Sequence, residues 1–330
     1  MIFSESRLVD LNMRVGQHFS SLLGFVGIFL LSFQSFGESA VAGEGGADGN
    51  ASMGYGDAFV YGLVEGVTEF LPISSTGHLV LASESLSTPE DQEEAVYAYL
   101  IVIQAGAIFA VALLYRKQVS SVLLGFFGLD PRGRRLGFNL IFAFLPAALL
   151  GPFLDDFIES ELFGLLPIAF ALFAGAILMH WAEARRRKTH PLLSFDTGKS
   201  LDDLTLRSSM FIGFLQCVAM WPGTSRSMMT IVGGYLVGLS RAKAAEFSFL
   251  LGLITLTAAA GYKGLTKWEV MRDNLEIGPV VFGCLVAGAS AALSVVWLVG
   301  YLAKRGLGVF VWYRIALSLV VLGFWYWGIA

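Results

Sequence analysis

Two short stretches of the chain hold the residues best suited to chemistry. The first runs Glu65-Gly66-Val67-Thr68-Glu69-Phe70-Leu71-Pro72-Ile73-Ser74-Ser75-Thr76-Gly77-His78. If the part before Pro72 is helical, Glu65 and Glu69 stand at i and i+4 on one face. Two carboxylates so placed must share a proton, meet a cation or bind a metal. The alternative is a helix end whose acids are simply solvated. Pro72 ends that helix, and Ser74, Ser75 and Thr76 then bring hydroxyls beside His78, the one imidazole of the segment. Nucleophile, base and orienting acid are the parts of covalent hydrolysis. A serine-rich turn can equally be a helix cap, with His78 a packed histidine.

The second stretch, Pro222-Gly223-Thr224-Ser225-Arg226-Ser227, sets a lone arginine among hydroxyls deep in an apolar region. An arginine there needs an anion, and a guanidinium fork with hydroxyls and backbone N–H groups suits phosphate. Thr230, four residues on, extends the same face. The rival reading pairs Arg226 with Glu69 or Glu65, an arrangement that phosphate can displace. Together the stretches supply acids, hydroxyls and an imidazole on one side and an anion clamp on the other. Phosphoryl chemistry fits best, because it calls mainly for positioning and charge neutralisation.

The elements that position these residues lie in a membrane. Of 330 residues 55% are apolar and only 15% charged, more apolar surface than a soluble globule can hide. A net charge of −4 offers no excess of positive charge for phosphate backbones, so nucleic acid is not an expected partner. Cys217 and Cys284 lie in apolar stretches and fit no metal spacing. Apolar runs near 95–115, 138–154, 163–181, 246–262, 278–302 and 310–329 are long enough to span a hydrocarbon core of roughly 30 Å. The stretches at 58–88 and 209–239, interrupted by Pro72 and Pro222, read as broken, re-entrant elements.

Residues 1–42 have the order of parts of a secretory signal peptide, with an N-terminal anchor helix as the rival, and 43–56 read as a flexible linker. Residues 57–330 form the membrane domain. Arg116, Lys117, Arg132, Arg134 and Arg135, then Arg185, Arg186, Arg187 and Lys188, mark two cytoplasmic loops, and acid-rich segments fall on the other side. The chain also repeats itself: Gly62-Leu63-Val64-Glu65 matches Gly213-Phe214-Leu215-Gln216, and Pro72-Ile73-Ser74-Ser75-Thr76 matches Pro222-Gly223-Thr224-Ser225-Arg226 with a one-residue gap between blocks. The loop charges give the halves, about 57–181 and 208–330, opposite senses. Such inverted repeats place their site between discontinuous helices near the bilayer midplane. The expected fold is therefore an all-α polytopic membrane protein of two inverted-topology repeats, with about six full spans and two re-entrant helix pairs.

The runs E-G-x-T-E-F-L-P-I-S-S-T-G-H-L at 65–79, V-I-Q-x-G-x-I-x-A-V at 102–111, D-D-L-T at 202–205, Q-C-x-A-x-W-P-G-T-S-R-S at 216–227 and E-F-S-F-L-L at 246–251 closely resemble the undecaprenyl-diphosphatase family, also called the bacitracin-resistance protein family. The likeness covers the chain from residue 57 onward. It implies a membrane phosphatase that hydrolyses undecaprenyl diphosphate to the monophosphate and phosphate, recycling the carrier lipid of peptidoglycan synthesis. Its setting would be the bacterial cytoplasmic (inner) membrane, with the site open to the periplasm or cell exterior. By the same resemblance Glu65 and Glu69 are the paired acids and metal ligands, Ser75 is a nucleophile, His78 a nucleophile or acid/base, and Arg226 the phosphate ligand. Ser74, Thr76, Ser225, Ser227 and Thr230 would line the phosphate pocket, with Mg²⁺ or Ca²⁺ as cofactor. The implied partners are the polyprenyl diphosphate lipid and the bilayer, and a homodimer is a further candidate. A rival of another class is a polyprenyl-phosphate flippase or ion-coupled transporter on the same inverted-repeat fold, with the acids as proton sites.

Overall fold

The computed structural model describes residues 53–86, 93–189, 198–266 and 268–328. The expected signal or anchor at 1–42 lies outside these residues, as does the linker up to residue 52. Tyr55 and Gly56, expected in the linker, already belong to the first helix. Contacts divide the chain into two units, and nearly all the structure described here belongs to the unit of Ser52–Glu84 and Thr88–Ala330.

Among the described residues the fold is all-helical, with one isolated bridge between Lys199 and Leu239. Helices α1 (Tyr55–Thr68) and α2 (Ser75–Ser85) flank the first break, followed by α3 (Glu93–Leu114), α4 (Arg116–Phe126), α5 (Pro131–Phe157) and α6 (Leu165–Thr189). The same order then recurs. Helices α7 (Leu206–Val218) and α8 (Arg226–Leu236) flank the second break, followed by α9 (Arg241–Thr266), α10 (Trp268–Asn274), α11 (Ile277–Arg305) and α12 (Gly308–Trp327). Packing crosses between the halves. Helix α1 lies against α11 and α7 against α5, α3 meets α11 as α9 meets α5, and α6 pairs with α12.

Five helices are each long and apolar enough to cross a bilayer. The expected span at 95–115 differs: Ala98–Leu114 is followed by an 82° bend into α4, and the pair counts as a sixth span only if taken together. The outward faces are apolar, with Phe109, Leu285, Leu293 and Leu319 all more than 60% exposed, as suits lipid rather than water. Exposed Trp325, Tyr326 and Trp327 gather at the end of α12, where interfacial aromatics are at home.

Small residues let the crossed helices approach closely. A Cβ on Gly66 would collide with the Ala287 carbonyl and the Ser290 hydroxyl of α11, and one on Gly106 with the Cys284 carbonyl. On the other side, a Cβ on Gly213 of α7 would strike the Ala143 carbonyl of α5. Both broken segments are thereby seated against long helices.

Candidate active site

The two breaks share one local geometry. Glu69 ends α1, its N–H donating to the Glu65 carbonyl at 2.9 Å, so the two acids stand one turn apart. Pro72 prevents continuation, and the chain folds sharply, with Ile73 N donating to the Leu71 carbonyl at 2.8 Å. Ser74 then takes a positive φ of 73°, and its Oγ accepts from Gly77 N at 3.4 Å to cap α2. At the second break Gly223 and Ser225 have φ of 90° and 75°, and Ser225 Oγ accepts from Met228 N at 3.3 Å to cap α8. This corrects the repeat register expected from sequence. Ser74 corresponds to Ser225 rather than to Thr224, so Ser75 corresponds to Arg226, because position relative to the cap matters more than the shared proline.

Ser75 and Arg226 thus open the first turns of two half-helices, and both reach Glu69. Arg226 Nη2 donates to Glu69 Oε1 at 2.9 Å, and Ser75 Oγ donates to Glu69 Oε2 at 2.6 Å. The pair is largely desolvated, its side chains 10% and 6% exposed. Arg226 Nη1 donates to the Ser248 carbonyl at 3.1 Å, the guanidinium lies 5.3 Å over the Phe70 ring, and Nε, though buried, has no hydrogen-bond partner among the described residues. Since Ser75 and Arg226 are the first residues of α2 and α8, the positive dipole ends of both helices lie beside Glu69.

The remaining candidates divide between the site and its frame. Glu65, buried, accepts from Gln104 Nε2 at 3.3 Å. Ser227 Oγ donates to the Leu71 carbonyl at 2.7 Å and so joins the two breaks, and Ser225 Oγ lies 3.1 Å from it. Thr230 is fully buried behind Arg226, its Oγ1 donating to the Arg226 carbonyl at 2.9 Å and lying 2.6 Å from Ser248 Oγ. Thr76 sits half-buried in the first turn of α2. His78 has Nδ1 2.6 Å from the Ser74 carbonyl and Nε2 2.7 Å from the Tyr313 hydroxyl, with the two rings stacked.

Partners absent from the sequence candidates include Gln104, Ser248, Tyr313 and Arg314. Arg314, fully buried on α12, donates to the carbonyls of Leu172, Ala171 and Gly223, the last at the second break. A charged residue inside an apolar span was a usable signal for it; Gln104 and Tyr313 carry no such mark.

The second half lacks the acids. At the corrected offset Gln216 replaces Glu65, Met220 replaces Glu69 and Met229 replaces His78. The equivalence reaches the partners, since Gln216 Oε1 accepts from Thr255 as Glu65 accepts from Gln104.

Among the described residues no three of His, Cys, Asp and Glu come together as a ready-made metal site. Two neighbouring carboxylates do fit the way Mg²⁺ binds beside a phosphorylated substrate, through one or two acids plus phosphate oxygens and water.

Fold and site together define a polytopic membrane protein with an arginine-carboxylate-serine centre between two broken helices. Residues 58–320 match the model of the bacitracin resistance protein BacA family, and the chain belongs to that family. Similar relatives include undecaprenyl-diphosphatase 2 of Rhodospirillum rubrum, 44% identical over 80% of this chain and 93% of the relative. An undecaprenyl-diphosphatase of Sorangium cellulosum is 44% identical over 81% of this chain and 85% of the relative. Undecaprenyl-diphosphatase 3 of Acinetobacter baylyi is 42% identical over 80% of this chain and 96% of the relative.

Proposed function

We propose that the protein hydrolyses undecaprenyl diphosphate to undecaprenyl phosphate and phosphate. The observation that carries this reading is the chain Arg226–Glu69–Ser75, an anion ligand, a base and a nucleophile in direct hydrogen-bond contact. Family membership and the names of the three relatives support the substrate. The transporter reading draws no support from them, and it leaves the Ser75–Glu69 contact without a use.

In the free protein Glu69 occupies the anion's place on Arg226. An arriving terminal phosphate competes for the guanidinium, with the idle Nε and the N-terminal N–H groups of α2 and α8 as further donors. Ser75 Oγ attacks the terminal phosphorus and its proton passes to Glu69 Oε2. The anhydride P–O bond breaks, and undecaprenyl phosphate leaves with the bridging oxygen and the bond's electron pair. Glu69 gives that proton to the departing undecaprenyl phosphate. The regenerated carboxylate then takes a proton from a water that attacks the phosphoserine and passes it to Ser75 Oγ as the P–O bond breaks, releasing phosphate. Ser75 is favoured over His78 as nucleophile because both ring nitrogens of His78 are already engaged.

Glu65 and Glu69 are the residues that would hold Mg²⁺ or Ca²⁺, whose contribution is to neutralise diphosphate charge. Shared element order and crossed packing support an inverted repeat. The basic loops, at Arg116–Lys117 and Arg185–Lys188, support a bacterial inner-membrane protein whose site opens to the outer side, where it would recycle the carrier lipid of peptidoglycan synthesis.

Phosphate release from undecaprenyl diphosphate in detergent tests the proposal. Glu69→Ala, Ser75→Ala and Arg226→Ala should each lose most turnover, and near-normal rates in the Glu69 and Arg226 variants would overturn the site.

A further inference from the structure

Beside the catalytic chain lies a polar cluster that it does not use: His78, the Ser74 carbonyl and Tyr313 of α12. A carbonyl oxygen can only accept, so the 2.6 Å contact with Ser74 requires His78 Nδ1 to carry the proton. Nε2 of the neutral ring is then an acceptor, and at 2.7 Å the Tyr313 hydroxyl donates to it. The stacked rings, 10° apart in plane, fix the imidazole's orientation as well. Ser74 is the strained residue with φ of 73°, and Ser75, the next residue, carries the hydroxyl on Glu69.

We propose that Tyr313 is a positioning residue for the hydrolysis: it holds His78 as the Nδ1–H tautomer, which anchors the Ser74 carbonyl and so sets Ser75 Oγ against Glu69. This rests on the proposed diphosphatase reading and deepens it. His78 acts here through the backbone and transfers no proton. The adjacent Arg314 donates to the Gly223 carbonyl, so two successive residues of α12 reach both breaks.

The test combines kinetics and spectroscopy on the full-length protein in detergent. Tyr313→Phe removes only the hydroxyl. With undecaprenyl diphosphate as substrate, kcat should fall 10-fold or more, with KM within twofold and the melting temperature unchanged. In a His78→Ala background the same change should cost nothing further, because the hydroxyl acts only through the imidazole. A kcat within twofold of the unsubstituted protein, or losses that multiply in the double variant, overturns the proposal.

A second measurement needs no active or folded variant at Tyr313. Nitrogen-15 spectra of the four histidines, with His78 identified through His78→Gln, should show a neutral ring protonated at Nδ1. An Nε2–H tautomer or an imidazolium at neutral pH overturns it. Absence of phosphate release from the unsubstituted protein would instead defeat the diphosphatase reading, and the spectra would still decide the His78 tautomer.

Discussion

Ser74 and Ser225, 151 positions apart, are the two described residues other than glycine with a positive φ, and each caps the half-helix that follows it. Neither serine is there for its side chain alone. Each bends the backbone so that the next residue, Ser75 or Arg226, starts a helix facing Glu69.

That strain is measurable. Ser225→Gly keeps the conformation without steric cost and loses the cap and the contact with Ser227 Oγ, so it should cost no more than about 1 kcal/mol of stability. Ser225→Val cannot adopt the conformation easily and should cost about 1–3 kcal/mol. Thermal unfolding in detergent separates them, and equal effects of the two substitutions would contradict the backbone account.

Charge at the centre should matter beyond shape. Glu69→Gln keeps an acceptor for Ser75 but removes the base, and phosphate release should drop about 10²–10⁴-fold. Arg226→Lys keeps the charge but loses the fork, with an expected loss on the order of 10²-fold. Initial rates at saturating substrate decide both. Removing Arg226 altogether would also leave Glu69 buried and unpaired, at a cost of about 3–5 kcal/mol in stability.

The covalent step leaves a chemical record. Rapid acid quench with terminally labelled substrate should trap phosphate on Ser75 as an acid-stable, alkali-labile ester. Ser75→Ala should trap none. Label that survives base but not acid would place it on a histidine and defeat the serine step.

Metal dependence should follow Glu65 and Glu69. A chelator is expected to abolish most phosphate release, and added Mg²⁺ or Ca²⁺ to restore it. Glu65→Gln should raise the metal concentration needed for half-maximal rate, since one of two carboxylate ligands is gone. Titration of rate against free metal checks this, and an unchanged midpoint would remove Glu65 from the metal site.

Much of the site was legible because its residues are costly where they stand. Glu65, Glu69 and Arg226 are charged in apolar sequence, and Pro72 and Pro222 announce the breaks. One partnership, Arg226 with Glu69, was legible as the alternative to a bound anion, whereas that of His78 was not, since Tyr313 meets it across 235 positions through packing that no local pattern encodes. The bend after Leu114 escaped for a related reason: hydropathy reports how apolar a run is, not whether the chain turns where it ends. Register at the second break follows the positive φ at Ser225, which no residue type announces, rather than the proline, which is conspicuous in sequence.

The paired N-termini of α2 and α8 carry one consequence for how such a site can be damaged. Their pull on an anion is written in the path of the main chain, not in any side chain. A variant stripped of Ser75 or Glu69 will therefore stop turning over long before it stops attracting phosphate. An inactive protein of that kind would still hold its lipid, acting as a sink for the substrate that the intact protein consumes.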